Sequence, residues 1–166
     1  MAGEITVEIQ GGEHLKQIVA NLKSVGENEL AKELKQGIRK AAKPMAPAVR
    51  KSIGQIPSKQ GGVSRTGGSL RADMQKATKL QIRTTRSQAG ITIRVDGRAM
   101  PGRMGALPAY MEGRKRPWRH PVYGNKNVWV VQPAHGYFYN IVPELAAEVK
   151  AEIDAVATSI ARRLQQ

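Results

Sequence analysis

Cysteine is absent from the 166 residues, which excludes a disulfide framework, a thiol nucleophile and any thiolate metal site. Aromatic residues are scarce, at 4 % against 40 % for hydrophobic residues as a group. The core must therefore be built from Ile, Leu, Val, Met and Ala, and we expect it to be thin and layered. Long apolar runs are missing too: the longest strongly apolar one is 128–131, far short of the roughly 20 residues a membrane helix needs. Residues 1–8 show no basic segment followed by an apolar one. The expectation is a soluble, unprocessed protein of a reducing cytoplasm with no membrane attachment.

Site chemistry is equally sparse. The three histidines, His14, His120 and His135, have no His-Glu-x-x-His spacing, and no nucleophile elbow, phosphate-cradling loop or dinucleotide glycine motif occurs. Glu144, Glu148 and Glu152, spaced by four, read as a solvated helix face, not as an acid/base pair. These absences predict no enzyme, no cofactor and no metal.

Acid is the last scarcity, and it is local. Residues 50–119 hold sixteen Lys and Arg against three acids, Asp73, Asp96 and Glu112, so that +13 of the net +14 falls there. Such asymmetry marks contact with a polyanion or an acidic protein surface. The candidates for partner or DNA contact are Arg65, Arg71, Arg98, Arg103, Arg114, Lys115, Arg116 and Arg119.

The elements that are present read as one α+β domain spanning 1–166. Ile5, Val7 and Ile9 alternate with polar residues and predict a strand. A short helix carries Leu15, Ile18, Val19 and Leu22, and the Ser24-x-x-Glu27 spacing reads as a capping box opening a longer helix over 28–45. The apolar stripe of that helix runs on towards Val49 and Ile53, with Pro44 and Pro47 interrupting its last third. A short helix is expected over 69–77, then a hairpin with strands 80–84 and 91–95, Ile91, Ile93 and Val95 facing in. Another strand is expected over 128–132. The clearest helix is 140–164, with Ile153 central to its stripe and Pro143 tolerable in the first turn. Two long amphipathic helices on a small antiparallel sheet is the resulting fold. Segments 54–68 and 97–119, rich in Gly and Pro, are expected to be extended basic loops outside the core. Trp118, Tyr123, Trp129, Tyr137, Phe138 and Tyr139 fall within 22 residues. Two readings stay open: they fill one end of the core, or Trp118 and Tyr123 anchor a subunit interface.

The order of these features, with Thr66-Gly67-Gly68-Ser69-Leu70-Arg71 leading into the hairpin, resembles the neck or tail-completion (minor tail) family of long-tailed bacteriophages. The segment Trp118-Arg119-His120-Pro121-Val122-Tyr123-Gly124-Asn125, followed by Trp129 and Gln132-Pro133, is similar to the version in phages of high-GC Gram-positive hosts. The resemblance covers about 28–164. It implies a non-catalytic virion protein, assembled in the host cytoplasm into a homo-oligomeric ring between adjacent neck and tail proteins, six-fold favoured and twelve-fold next. Its basic loops would face either the passing phage DNA or an acidic neighbour. The rival reading is a sequence-nonspecific nucleic-acid-binding protein using 50–119. Against it, the 80–95 hairpin carries no aromatic residue on which bases would stack.

Overall fold

Elements form where side-chain periodicity is strong. The computed structural model describes residues 4–10, 13–57, 69–85, 89–102, 104–122 and 124–165. Along them run β1 (Ile5–Gln10), α1 (Glu13–Val25), α2 (Asn28–Ala42), α3 (Met45–Gly54), α4 (Leu70–Ala77), β2 (Thr78–Thr84), β3 (Ala89–Val95), α5 (Leu107–Glu112), β4 (Trp118–Val122), β5 (Asn125–Gln132) and α6 (Val142–Arg163). The fold is α+β, with a three-stranded sheet ordered β1-β3-β2 and a separate two-stranded sheet, β4-β5. The chain forms two compact units, one of 1–6, 48–79 and 94–142, the other of 7–47, 80–93 and 143–166.

The second unit has a purely aliphatic core. Leu15, Ile18, Val19 and Leu22 of α1, Leu34 and Ile38 of α2, Ile91 and Ile93 of β3, and Val149, Ile153 and Ile160 of α6 are all buried. Burying each of these side chains contributes on the order of 1.5–3 kcal/mol. The helices α2 and α6 meet closely at Gly37, where an added Cβ would lie 2.6 Å from Val156 Cγ1. An exposed ion pair from Arg163 Nη1 to Glu33 Oε2, 2.6 Å long, joins the same two helices. No aromatic residue belongs to this unit.

Two helix boundaries depart from expectation. Ser24 lies inside α1 and donates to Asn21 O at 2.9 Å, while Glu27 makes no side-chain cap. The capping box does not form because Gly26, at φ +76°, ends α1 in the left-handed conformation, and Glu27 N reaches back to Leu22 O at 3.1 Å. That pattern is a Schellman motif, which only glycine enters without strain. The stripe over 28–53 is split as anticipated: α2 stops at Ala42, Pro44 occupies the turn, and Pro47 falls in the first turn of α3, where its missing N–H costs nothing.

The larger correction concerns 97–119, which is not an extended loop outside the core. Asp96 Oδ1 accepts Arg98 N at 3.0 Å to cap a 3-10 turn over Gly97–Ala99, and a second 3-10 turn, Met104–Ala106, leads directly into α5. Met100, Leu107, Ala109 and Met111 are buried in the first unit, and β4 begins at Trp118. Composition misled here because four well-spaced apolar residues anchor a Gly- and Pro-rich segment. In segment 54–68, Gly54 closes α3 and Ile56 is buried; 58–68, which includes Arg65, lies outside the described residues.

Ile153 is 1 % exposed at the centre of the α6 stripe. Ile153→Asp places an unpaired carboxylate there and is expected to cost about 3–5 kcal/mol, enough to abolish or strongly lower the thermal transition. An unchanged transition would take the stripe out of the core.

Candidate functional site

The site is built on the β4-β5 hairpin of the first unit and on the junction that closes its base. Trp118 pairs with Gln132, Arg119 with Val131, His120 with Val130 and Pro121 with Trp129, before a bulge at Pro121/Val122 and a turn through Gly124 at φ +83°. Paired residues share a face. One face therefore carries Trp118, His120 and Val130, with Trp118 and His120 stacked at 4.1 Å. The other carries Arg119, Pro121, Trp129 and Val131, with the Arg119 guanidinium 4.9 Å from the Trp129 ring centroid. Trp129 Nε1 donates to Lys126 O at 2.7 Å, which fixes the indole.

Below the hairpin, a single carboxylate ties its two ends together. Glu112, the last residue of α5 and buried, accepts Phe138 N and Tyr139 N, each at 2.8 Å. Beside it His135 N donates to Met111 O at 2.8 Å, and Gly113 at φ +87° ends α5. Tyr137 and Phe138 are thereby turned into the core, and Tyr137 Oη donates to Pro108 O at 3.3 Å. Burial, with Glu112 and Tyr139 close by, pushes the Tyr137 hydroxyl far above its ordinary pKa. Burial also raises the Glu112 carboxyl, outweighing the pull of the Tyr139 and Phe138 N–H groups and of Arg114.

The expected contact residues separate into three groups. Arg114, Lys115, Arg116 and Arg119 lie together on the hairpin and its approach, all exposed. Arg114 sits 5.2 Å from the Tyr139 ring and Lys115 5.5 Å from the Tyr110 ring. Arg71 is instead structural: its guanidinium donates to Ile56 O at 2.9 Å and holds the chain after α3. Arg98 stands on the 3-10 turn beside Asp96, whose carboxyl is held below its ordinary pKa first by the Arg98 N–H and then by Arg94, Lys79 and Arg98. Arg65, Arg103 and Tyr123 lie outside the described residues.

The first reading of the aromatic cluster holds for two of its members. Tyr137 and Phe138 fill core, Trp118 is half-buried, and Trp129 is 45 % exposed. An open, mostly apolar groove lined by Ile56, Leu70, Met74, Leu107, Met111 and Trp118 lies at the hairpin's base. Sequence reasoning missed Glu112 as the junction and β4 as a strand. The signal for the first was a lone acid among the six cations of 97–119; the second was hidden by Pro121. Among the described residues no group of His, Asp and Glu could hold a metal ion, and no helix is long and apolar enough to cross a membrane.

Removing the Glu112 acceptor with Glu112→Ala is expected to cost about 1–3 kcal/mol for each N–H left unpaired. Glu112→Gln removes the charge but keeps one of the two acceptor oxygens, its NH2 facing the other N–H. Because the folded-state pKa is raised, the carboxyl's contribution is full below its unfolded value and is lost as pH rises through the folded one. The parent should stand best against the Gln variant in acid and lose ground against it towards neutral pH. Urea midpoints of both proteins between about pH 4 and pH 7 check this; a parent that gains ground would reverse the sign.

No protein-family model, curated protein or solved structure matches the chain, so a functional reading rests on the geometry above and on the resemblance carried by its sequence motifs.

Proposed function

We propose that this protein is a structural component of the neck of a long-tailed bacteriophage, a tail-completion or minor tail subunit that acts by being assembled into a ring joining head and tail. The observation that carries the reading is the hairpin itself. An isolated two-stranded ribbon is marginal in water, yet this one exposes Val128, Trp129, Val130 and Val131 in succession beside a row of cations. Such an element suits a subunit completed by its neighbours, as interface aromatics flanked by Arg are in assembled proteins. The motif succession from Thr66 to Gln132-Pro133 supports the neck assignment by resemblance. Adjacent neck and tail proteins would be its partners, in a ring with six-fold closure favoured.

Deleting the gene from its phage is expected to leave DNA-filled heads and separate or defective tails in the lysate, with infectivity lost. Normal infectious particles would make the protein dispensable, and empty heads would move its work to genome packaging.

A second reading, sequence-independent contact with DNA, is favoured by the clustering of Arg114, Lys115, Arg116 and Arg119 on one exposed segment. Cations of this kind release counterions from phosphate without reading bases. Any affinity for duplex DNA should fall steeply with salt and weaken when these four residues are changed to Ser. A preferred sequence that resists high salt would favour a dedicated nucleic-acid-binding protein instead.

A further inference from the structure

The surface of the hairpin constrains what can cover it. Val128 and Val131 are 51 % and 58 % exposed, on opposite faces of β5, and among the described strands β5 pairs only with β4. Trp129, 45 % exposed, shares Val131's face, and such an adjoining pair of exposed apolar side chains marks a contact site. Between Gly113 and Asn140 the chain carries Arg114, Lys115, Arg116, Arg119 and Lys126 and no acid. Arg114 acts on the Glu112 carboxyl from a distance, and among the described residues no salt bridge neutralises any of these cations. The occupant must therefore be both apolar and acidic. Nucleic acid supplies the charge but no apolar strip for the valines, and a second hairpin would appose like charges.

The outward side of α6 has the missing properties. Ala147, Ala151 and Ala155 are exposed and spaced by four, forming a smooth row that a β-ribbon can approach closely. Alongside them Glu144, Glu148 and Glu152 form a parallel exposed row, and none is in an ion pair among the described residues. We infer that the β4-β5 hairpin of one copy docks on the outer face of α6 of the next, Trp129 and Val131 against the alanine row, Arg116 and Arg119 against the glutamate row. The contact joins two different surfaces of the same chain, so it repeats from copy to copy and closes into a ring when the rotation allows. It rests on the ring part of the proposed function and gives that ring its interface.

The test is a charge exchange read by light scattering after size exclusion, with thermal melts to confirm folding. The parent should form a defined oligomer that weakens as salt is raised. Glu144→Lys/Glu148→Lys/Glu152→Lys opposes cation to cation, and Lys115→Glu/Arg116→Glu/Arg119→Glu opposes acid to acid; each alone should be monomeric. Mixed in equal amounts, each hairpin meets a helix of opposite sign, and the oligomer should return. Trp129→Ser/Val131→Ser, at exposed positions, should also be monomeric while keeping a cooperative thermal transition. Oligomers that persist in both charge variants would overturn the hairpin contact while leaving a ring built elsewhere. A parent that stays monomeric at every concentration and salt would overturn the contact together with self-assembly in solution, and the gene-deletion phenotype would then decide the neck role separately.

Discussion

Two backbone N–H groups, those of Phe138 and Tyr139, end on one carboxylate, and the first unit is arranged around that junction. Together with His135 N on Met111 O and Tyr137 Oη on Pro108 O, it fixes the return of the chain from β5 to α5. Because Glu112 closes the loop, Tyr137 and Phe138 enter the core and stand edge-on at 6.4 Å, the aromatic mass that the aliphatic second unit lacks. The geometry needs an acceptor, whereas the charge is a cost that burial imposes. A carboxylate is used because it alone among the side chains can accept from two adjacent N–H groups without presenting a donor of its own.

How much of this was legible depended on whether the signal was periodic. The α1, α2 and α6 stripes were read at their observed positions, and Ile91, Ile93 and Val95 of β3 are buried as their alternation predicted. Local chemistry was less decisive. Ser24 and Glu27 had the spacing of a cap, but Gly26 between them ended one helix before the next began. Segment 97–119 read as loop from its glycines and prolines, although Met100, Leu107, Ala109 and Met111 were enough to bury its first part. Composition averages over the few residues that decide such a case.

The candidate site was half legible. Its cations could be counted, but not which would be used internally: Arg71 clamps Ile56 O while Arg116 remains exposed, and nothing in their neighbours distinguishes them. β5 was read as a strand, yet a continuous run such as Val128-Trp129-Val130-Val131 ordinarily signals burial on both faces. Here it is exposed on both. Periodicity reports that a segment wants apolar company; it does not report whether that company belongs to the same chain.

The way the cations are held bears on that question. Arg114, Lys115 and Arg119 lie on the rings of Tyr139, Tyr110 and Trp129, and none is in a salt bridge among the described residues. A salt bridge would fix such side chains but neutralise them. A ring fixes the side chain through its quadrupole, worth roughly 0.5–1 kcal/mol at exposed sites, and leaves the full charge in place. These three side chains are thus held in place without being neutralised. The six described aromatic residues all belong to the unit that also holds most of the positive charge, and three of them carry a cation on the ring.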